Sequence, residues 1–173
     1  MSKGQETKQE IVRKAAPLFN QKGYAGTSLS DLMDATGLQK GGIYRHFSGK
    51  EELATEAFDY SWQKAVTGRL EGVENLPDSV DRLKKMVDNF VDMRAGLVPG
   101  GCPLMNTAIE ADDGNTVLRN RARKALQGWI AWKNGVFGYT VSLDFCRVDL
   151  RSRQRLIARR IAISPSVCLR RFP

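Results

Sequence analysis

Apolar residues recur every three to four positions from about residue 11 to about residue 130, and the pattern breaks into segments that read as helices. Ile11, Ala15, Leu18 and Phe19 mark one face of a first helix over residues 6–22, with Gly23 as its stop. Pro17 predicts a kink, because proline removes the bond to the Arg13 carbonyl. Leu29, Leu32 and Met33 mark a second, short helix; Leu38, Ile43 and Phe47 mark a third. Ser28 and Asp31 form a capping-box pair, with Thr27 as the alternative cap. Gly37 suits the left-handed end of the second helix, and a cap at Gln39 puts Leu38 and Ile43 at hydrophobic-staple positions.

Ser48 and Glu51 read as a second capping box, opening a long helix over about 49–70 with Phe58, Trp62, Ala65 and Val66 on one side. Residues 71–77 read as a loop. Asp78 or Ser79 then caps a helix to about residue 95, with Val80, Leu83, Val87, Phe90, Val91 and Met93 as its apolar set. A Gly/Pro break, LVPGGCP, precedes a short helix over 104–111 with Pro103 near its start. A turn over 112–115 leads to a last helix over about 116–132. From residue 135 the pattern changes. Residues 140–145 alternate as a strand does, and Leu156, Ile157 and Ile161 suit one short basic helix before Pro165.

Two short helices joined by a tight glycine-containing turn are the sequence form of a helix-turn-helix. With Ile43 and Phe47 inward, Lys40, Gly41, Tyr44 and Arg45 point outward and Gln39 leads. Gln and Arg read base edges, whereas Lys, Tyr and His hold phosphate oxygens. Gly41 and Gly42 cost about 1 kcal/mol each against alanine in a helix, which makes sense where the backbone must approach another surface. An ordinary solvated helix with an incidental double glycine fits the spacing equally well.

The stretch T-S-x-x-D-L from Thr27, followed by K-G-G-I-Y-R-H-F-S-G-K-E-E-L from Lys40, resembles the DNA-binding signature of the TetR family of bacterial transcriptional regulators. The resemblance implies an all-α chain: a three-helix DNA-binding domain over 1–48, then a linker helix and helical ligand-binding and dimerisation domain over 49–135; residues 136–173 depart from the family pattern as an atypical basic segment. It implies that Gln39, Lys40, Gly41 and Arg45 face bases. Thr27, Tyr44, His46 and Lys50 are then the phosphate contacts, Lys50 in a helix first turn where phosphate is attracted. Position 39 departs from the Ser or Thr common in the family. The run GGCPLMNTAIEADDGN resembles a segment of the ligand domain in a subset of relatives, which makes Phe90, Met93, Met105, Ile109 and Trp129 candidates for a pocket wall. Plain core packing explains each of these singly. Cys102, in a glycine-rich loop before a helix start, is a possible sensor thiol for electrophiles or oxidants; a buried inert thiol is the alternative.

Composition refines this picture. The net charge of +8 is unevenly spread: residues 1–60 hold eight basic and eight acidic side chains, and residues 135–173 hold eight and two. Nucleic-acid binding therefore rests on local placement of Lys40, Arg45, His46 and Lys50, not on overall charge. The arginine-rich end is either an unusual anion-binding tail or the product of an altered reading frame; the two helices that close a TetR-type dimer are not legible in it. Cys102, Cys146 and Cys168 offer neither a disulfide framework nor a zinc site. No apolar run approaches the roughly 18 residues of a membrane span, and the polar start is unlike a secretory signal, so the cytoplasm is the expected location. The single histidine, His46, lies in the third helix, and no phosphate loop, nucleophile elbow, metal-ligand pair or catalytic carboxylate pair stands out. The expectation is a ligand-responsive regulator, most often a repressor, with no cofactor, metal or catalytic residue. Its partners are double-stranded operator DNA, a small-molecule inducer and a second copy of itself. A helical interaction protein without DNA binding is the alternative.

Overall fold

Ser2 accepts from the Gln5 N–H while the Gln5 side chain accepts from the Ser2 N–H, and this reciprocal cap starts helix α1 (Lys3–Gly26) earlier than the apolar pattern alone marks. The computed structural model describes residues 2–92, 98–112 and 114–137, the last five without side chains. Met93, the strand expected over 140–145, the basic stretch around Ile157, Cys146 and Cys168 all lie outside the described residues. Pro17 keeps helical dihedrals. The break in α1 comes instead at Gly23, whose φ of 76° places it in the left-handed region. The chain resumes for one turn and ends at Thr27, whose N–H and hydroxyl both donate to the Gly23 carbonyl.

Six further helices follow among the described residues, with no strand: α2 (Leu29–Thr36), α3 (Lys40–Tyr44), α4 (Lys50–Leu70), α5 (Ser79–Val91), α6 (Pro103–Ala111) and α7 (Thr116–Phe137). The Ser28–Asp31 capping box forms as expected, and Gly37 closes α2 at φ 72°. Asp31 also takes Lys22 Nζ at 2.6 Å. The Lys22 ammonium, and then the Ser28 N–H and hydroxyl, hold the Asp31 carboxyl far below the usual carboxylate range. Because the folded-state value lies below the unfolded one, the stabilisation is complete above the ordinary carboxylate range and is lost progressively as pH falls from that range toward the far lower folded-state value. Thermal melts from about pH 6 to about pH 3 should therefore fall more steeply for the wild type than for Asp31→Asn. Parallel curves would remove Asp31 from the acid response.

At the start of α4 the cap differs from expectation. Gly49 is the N-cap residue, and Glu52, not Glu51, reaches back to the Ser48 N–H (2.6 Å) and hydroxyl (2.7 Å). Starting the helix at Lys50 places Glu52 within reach of Ser48, and Glu51 accepts from Asn115 of the α6–α7 turn instead.

Ile11, Val12, Ala15, Leu32, Ile43, Phe47 and Leu53 form the core that unites α1, α2, α3 and the first turns of α4. The buried stripe of α4 continues through Ala54, Ala57, Phe58, Ser61 and Ala65, so one element packs against α1 and also against α5, α6 and α7; Ala54, near its start, already meets Ala111 of α6 and Leu118 of α7. Met1–Phe137 forms one compact unit. On α5 the apolar pattern does not end in burial: Val80, Leu83, Val87, Phe90 and Val91 remain 43–77% exposed. No helix of the described residues is long and apolar enough to cross a membrane.

Candidate nucleic-acid interface

Helix α3 is short, and its position is fixed from beneath. Ile43 is fully buried and Phe47 nearly so, while Leu38 and Tyr44 pack on the same cluster from either side. Gln39 is the N-cap residue with no side-chain cap bond, which places Leu38 and Ile43 at the staple positions. Gln39, Lys40, Gly41 and Arg45 are all exposed; Tyr44, His46 and Lys50 are half-buried around them.

Ion pairing explains how a region of zero net charge presents a positive face. Lys8 pairs with Glu52 and Glu56, Arg13 and Lys14 with Glu10, and Lys22 with Asp31. Hydrogen bonding to the Glu56 carboxylate holds Lys8 against α4 and raises its pKa above the ordinary value. Lys40, Arg45 and Lys50 have no acidic partner among the described residues. Lys50 Nζ lies 4.5 Å from the centre of the Tyr24 ring, which orients it at the start of α4 without neutralising it. A Cβ added at Gly41 would meet nothing within 4 Å, so the fold itself gives no reason for the missing side chain.

Thr27 is a correction. It is completely buried and its hydroxyl is committed to Gly23, so it serves as the joint between α1 and α2 and cannot reach a phosphate.

Residues 11–57 match the family model described as bacterial regulatory proteins, tetR family, and residues 79–136 match the tetracyclin repressor-like C-terminal domain. A TetR-family transcriptional regulator from Cytophaga hutchinsonii superposes with a TM-score of 0.73 at 35% identity, covering 94% of this chain and 88% of that one. One from Chloroflexus aurantiacus superposes at 0.72 with 45% identity, covering 85% and 73%. The regulator LmrA of Bacillus subtilis is 38% identical over 135 residues, 72% of this chain and 67% of its own. The chain belongs to the TetR family. It spans little more than half the length of several other curated relatives, 54% of one and 61% of another.

In this TetR-family chain the contacts between α1 and the following helices include, beside the apolar clusters around Ala16 and Ala111, a polar set that sequence reading missed. The buried Asn20 amide of α1 donates to the carbonyls of Val98, Pro99 and Gly101 at 3.0–3.3 Å. Asn106 of α6 donates to the Asn20 carbonyl, the Asn20 side-chain oxygen and the Gly100 carbonyl. Glu110 accepts from the Tyr24 and Ala25 N–H groups, both at 2.8 Å, just past the break at Gly23. Asn20 lies on the same face of α1 as Ala16, and a polar residue there is the one signal that could have announced a buried hydrogen-bond centre.

The proposed pocket wall is only partly assembled. Phe90 and Trp129 meet edge to face with centroids 6.4 Å apart. Met105 and Ile109 of α6 stand 57% and 73% exposed, because the buried side of that short helix is the one carrying Pro103 and Ala111. Cys102 is the N-cap residue of α6, half-buried, in the loop that Asn20 grips. Among the described residues no group of acids, histidines and cysteines could hold a metal ion.

Proposed function

We propose that the chain is a DNA-binding transcriptional repressor that acts as a homodimer on a palindromic operator and is released by a small-molecule inducer. The observation that carries the reading is the exposed face of α3, where Lys40 and Arg45 have no acidic partner among the described residues, beside a glycine the fold does not require. Arg45 is the base reader, bidentate to guanine, with Gln39 and Lys40 leading into the major groove. Tyr44, His46 and Lys50 hold the sugar-phosphate backbone, Lys50 beside the free N–H groups of the first α4 turn. The match of residues 79–136 to a repressor-like domain supports the negative sign and the inducer.

Inducer binding among α5, α6 and α7 shifts α6 and the 98–101 loop. Asn20 and Glu110 pass that shift to α1, and so to the aim of α3. Operator and inducer affinities are then coupled equally in both directions. Cys102 lies on the same route, so that modification of its thiol would act through the Asn20 contacts.

Arg45→Ala should cost about 1–3 kcal/mol of operator affinity and relax preference at one base pair. Lys50→Ala should weaken binding to all sequences alike and flatten the salt dependence. Competition binding against single-base operator variants separates the two; an Arg45→Ala protein with unaltered base preference would refute the groove assignment.

A further inference from the structure

All three tryptophans of the chain gather at one place away from α3. Trp62 of α4 meets Trp129 of α7 edge to face at 5.9 Å, Trp129 stacks on Trp132 at 5.5 Å, and Phe90 of α5 closes the group. Within it lies the Arg69 guanidinium, 4.7 Å from the Phe90 ring centre and 6.0 Å from that of Trp62. Arg69 makes no side-chain hydrogen bond or ion pair among the described residues, although it is half-buried. Its main chain is held: Asn89 of α5 donates to the carbonyls of Arg69 and Glu71. The nearby Glu74 carboxylate is engaged by the Trp132 indole N–H at 3.3 Å.

An arginine in this setting is oriented but unfulfilled. Ring faces stabilise its charge and fix the guanidinium plane, yet its N–H donors need acceptors that the rings do not supply. A carboxylate is the group whose two oxygens match that fork, and partial burial strengthens the pair. The rings around it offer faces and edges to a flat apolar body, and Phe90, Leu126 and Ile130 extend the apolar margin at 42–45% exposure.

We propose that this cluster is the recognition site for a planar aromatic carboxylate, with Arg69 taking the carboxylate and the tryptophans taking the ring. The proposal deepens the reading of the chain as an inducer-responsive regulator and names the chemical class of the inducer. It also locates the action: the cluster ties the last turns of α4 to α5 and α7, so an inserted ring bears on the helix whose other end carries α3.

Calorimetric titration of the DNA-free, full-length protein with 2-naphthoate, 2-naphthamide and 2-naphthylmethylammonium tests this, with tryptophan emission as a second readout. The carboxylate should bind saturably, perturb the emission, and exceed the amide and the ammonium at least tenfold. Arg69→Gln should abolish that preference while leaving weak amide binding, and Arg69→Lys should restore part of it. Absence of saturable carboxylate binding, equal or better binding of the ammonium, or an Arg69→Gln protein with unchanged preference would overturn the proposal. If Arg69→Gln does not fold, the three-ligand comparison on the wild type decides alone. Because no DNA is present, failure here leaves the repressor reading intact. Failure of operator binding, in turn, leaves this site standing.

Discussion

Ile43→Ala should destabilise the helix-turn-helix by about 2–5 kcal/mol and remove sequence-selective DNA binding with it. Ile43 is the one apolar side chain that α3 buries completely, in contact with a core drawn from α1, α2 and α4. A helix of five residues has almost no stability of its own, since nucleation alone is unfavourable. Its place is therefore set by that single anchor, by Phe47 just beyond it and by the staple to Leu38. Truncation leaves a cavity that α1 and α4, tied together by the Lys8–Glu56 contact, cannot easily collapse to fill. Denaturant melts should show the loss, and operator affinity should fall to the non-specific level even where most of the protein remains folded. A melt shifted by less than about 1 kcal/mol would mean that α3 is held by something other than Ile43.

The second large effect concerns the joint between the two halves. Gly100→Ala should cost roughly 3 kcal/mol and, on the proposed inducer-responsive reading, weaken the coupling of inducer to operator. Gly100 has φ 114°, a conformation that resists any side chain, and an added Cβ would lie 2.7 Å from the main-chain carbon and oxygen of Asn20. Backbone on both sides cannot yield, so the loop must move away. Moving it strains the three bonds from Asn20 and the one from Asn106 to the Gly100 carbonyl. Gly101→Ala is the comparison: its φ is 93°, but nothing lies within 4 Å of the added atom, so it suffers backbone strain alone. Hydrogen exchange at residues 98–106 should rise sharply for the Gly100 variant and modestly for the Gly101 variant. Equal exchange in the two would show that the close approach to Asn20 carries no energy.

What the sequence disclosed and what it hid follow from the range of the interactions. The Ser28–Asp31 box, the left-handed Gly37 and the Leu38–Ile43 staple are contacts within five residues, and periodicity with cap chemistry reads them directly. The exposed set Gln39, Lys40, Gly41 and Arg45 follows once Ile43 faces inward. Thr27, a phosphate contact by resemblance, lies instead inside the joint, where its hydroxyl completes the turn that Gly23 breaks. Ser48 was paired with the wrong glutamate because a one-residue shift in the start of α4 exchanges Glu51 for Glu52. The Asn20–Asn106–Glu110 joint spans some 80 residues of chain and leaves no local pattern; nor does the pairing of Lys8 with α4, one of the ion pairs that take up the nearby acids while Lys40 and Arg45 have no counter-ion among the described residues. The apolar stripe of α5 was legible as a stripe; that it stays exposed depends on what packs against it, which no period records.

The central claim is that α3 lies in the major groove with Arg45 on a guanine. Dimethyl sulfate protection of guanine N7, on DNA from upstream of the gene, reads that groove directly for the wild type and for Arg45→Ala. The wild type should protect guanines in two patches about 34–36 Å apart along the duplex, and the variant should lose one guanine per patch while keeping its neighbours. Identical protection by both proteins, or none by the wild type below the roughly 10⁻⁶ M range of non-specific binding, would contradict the account.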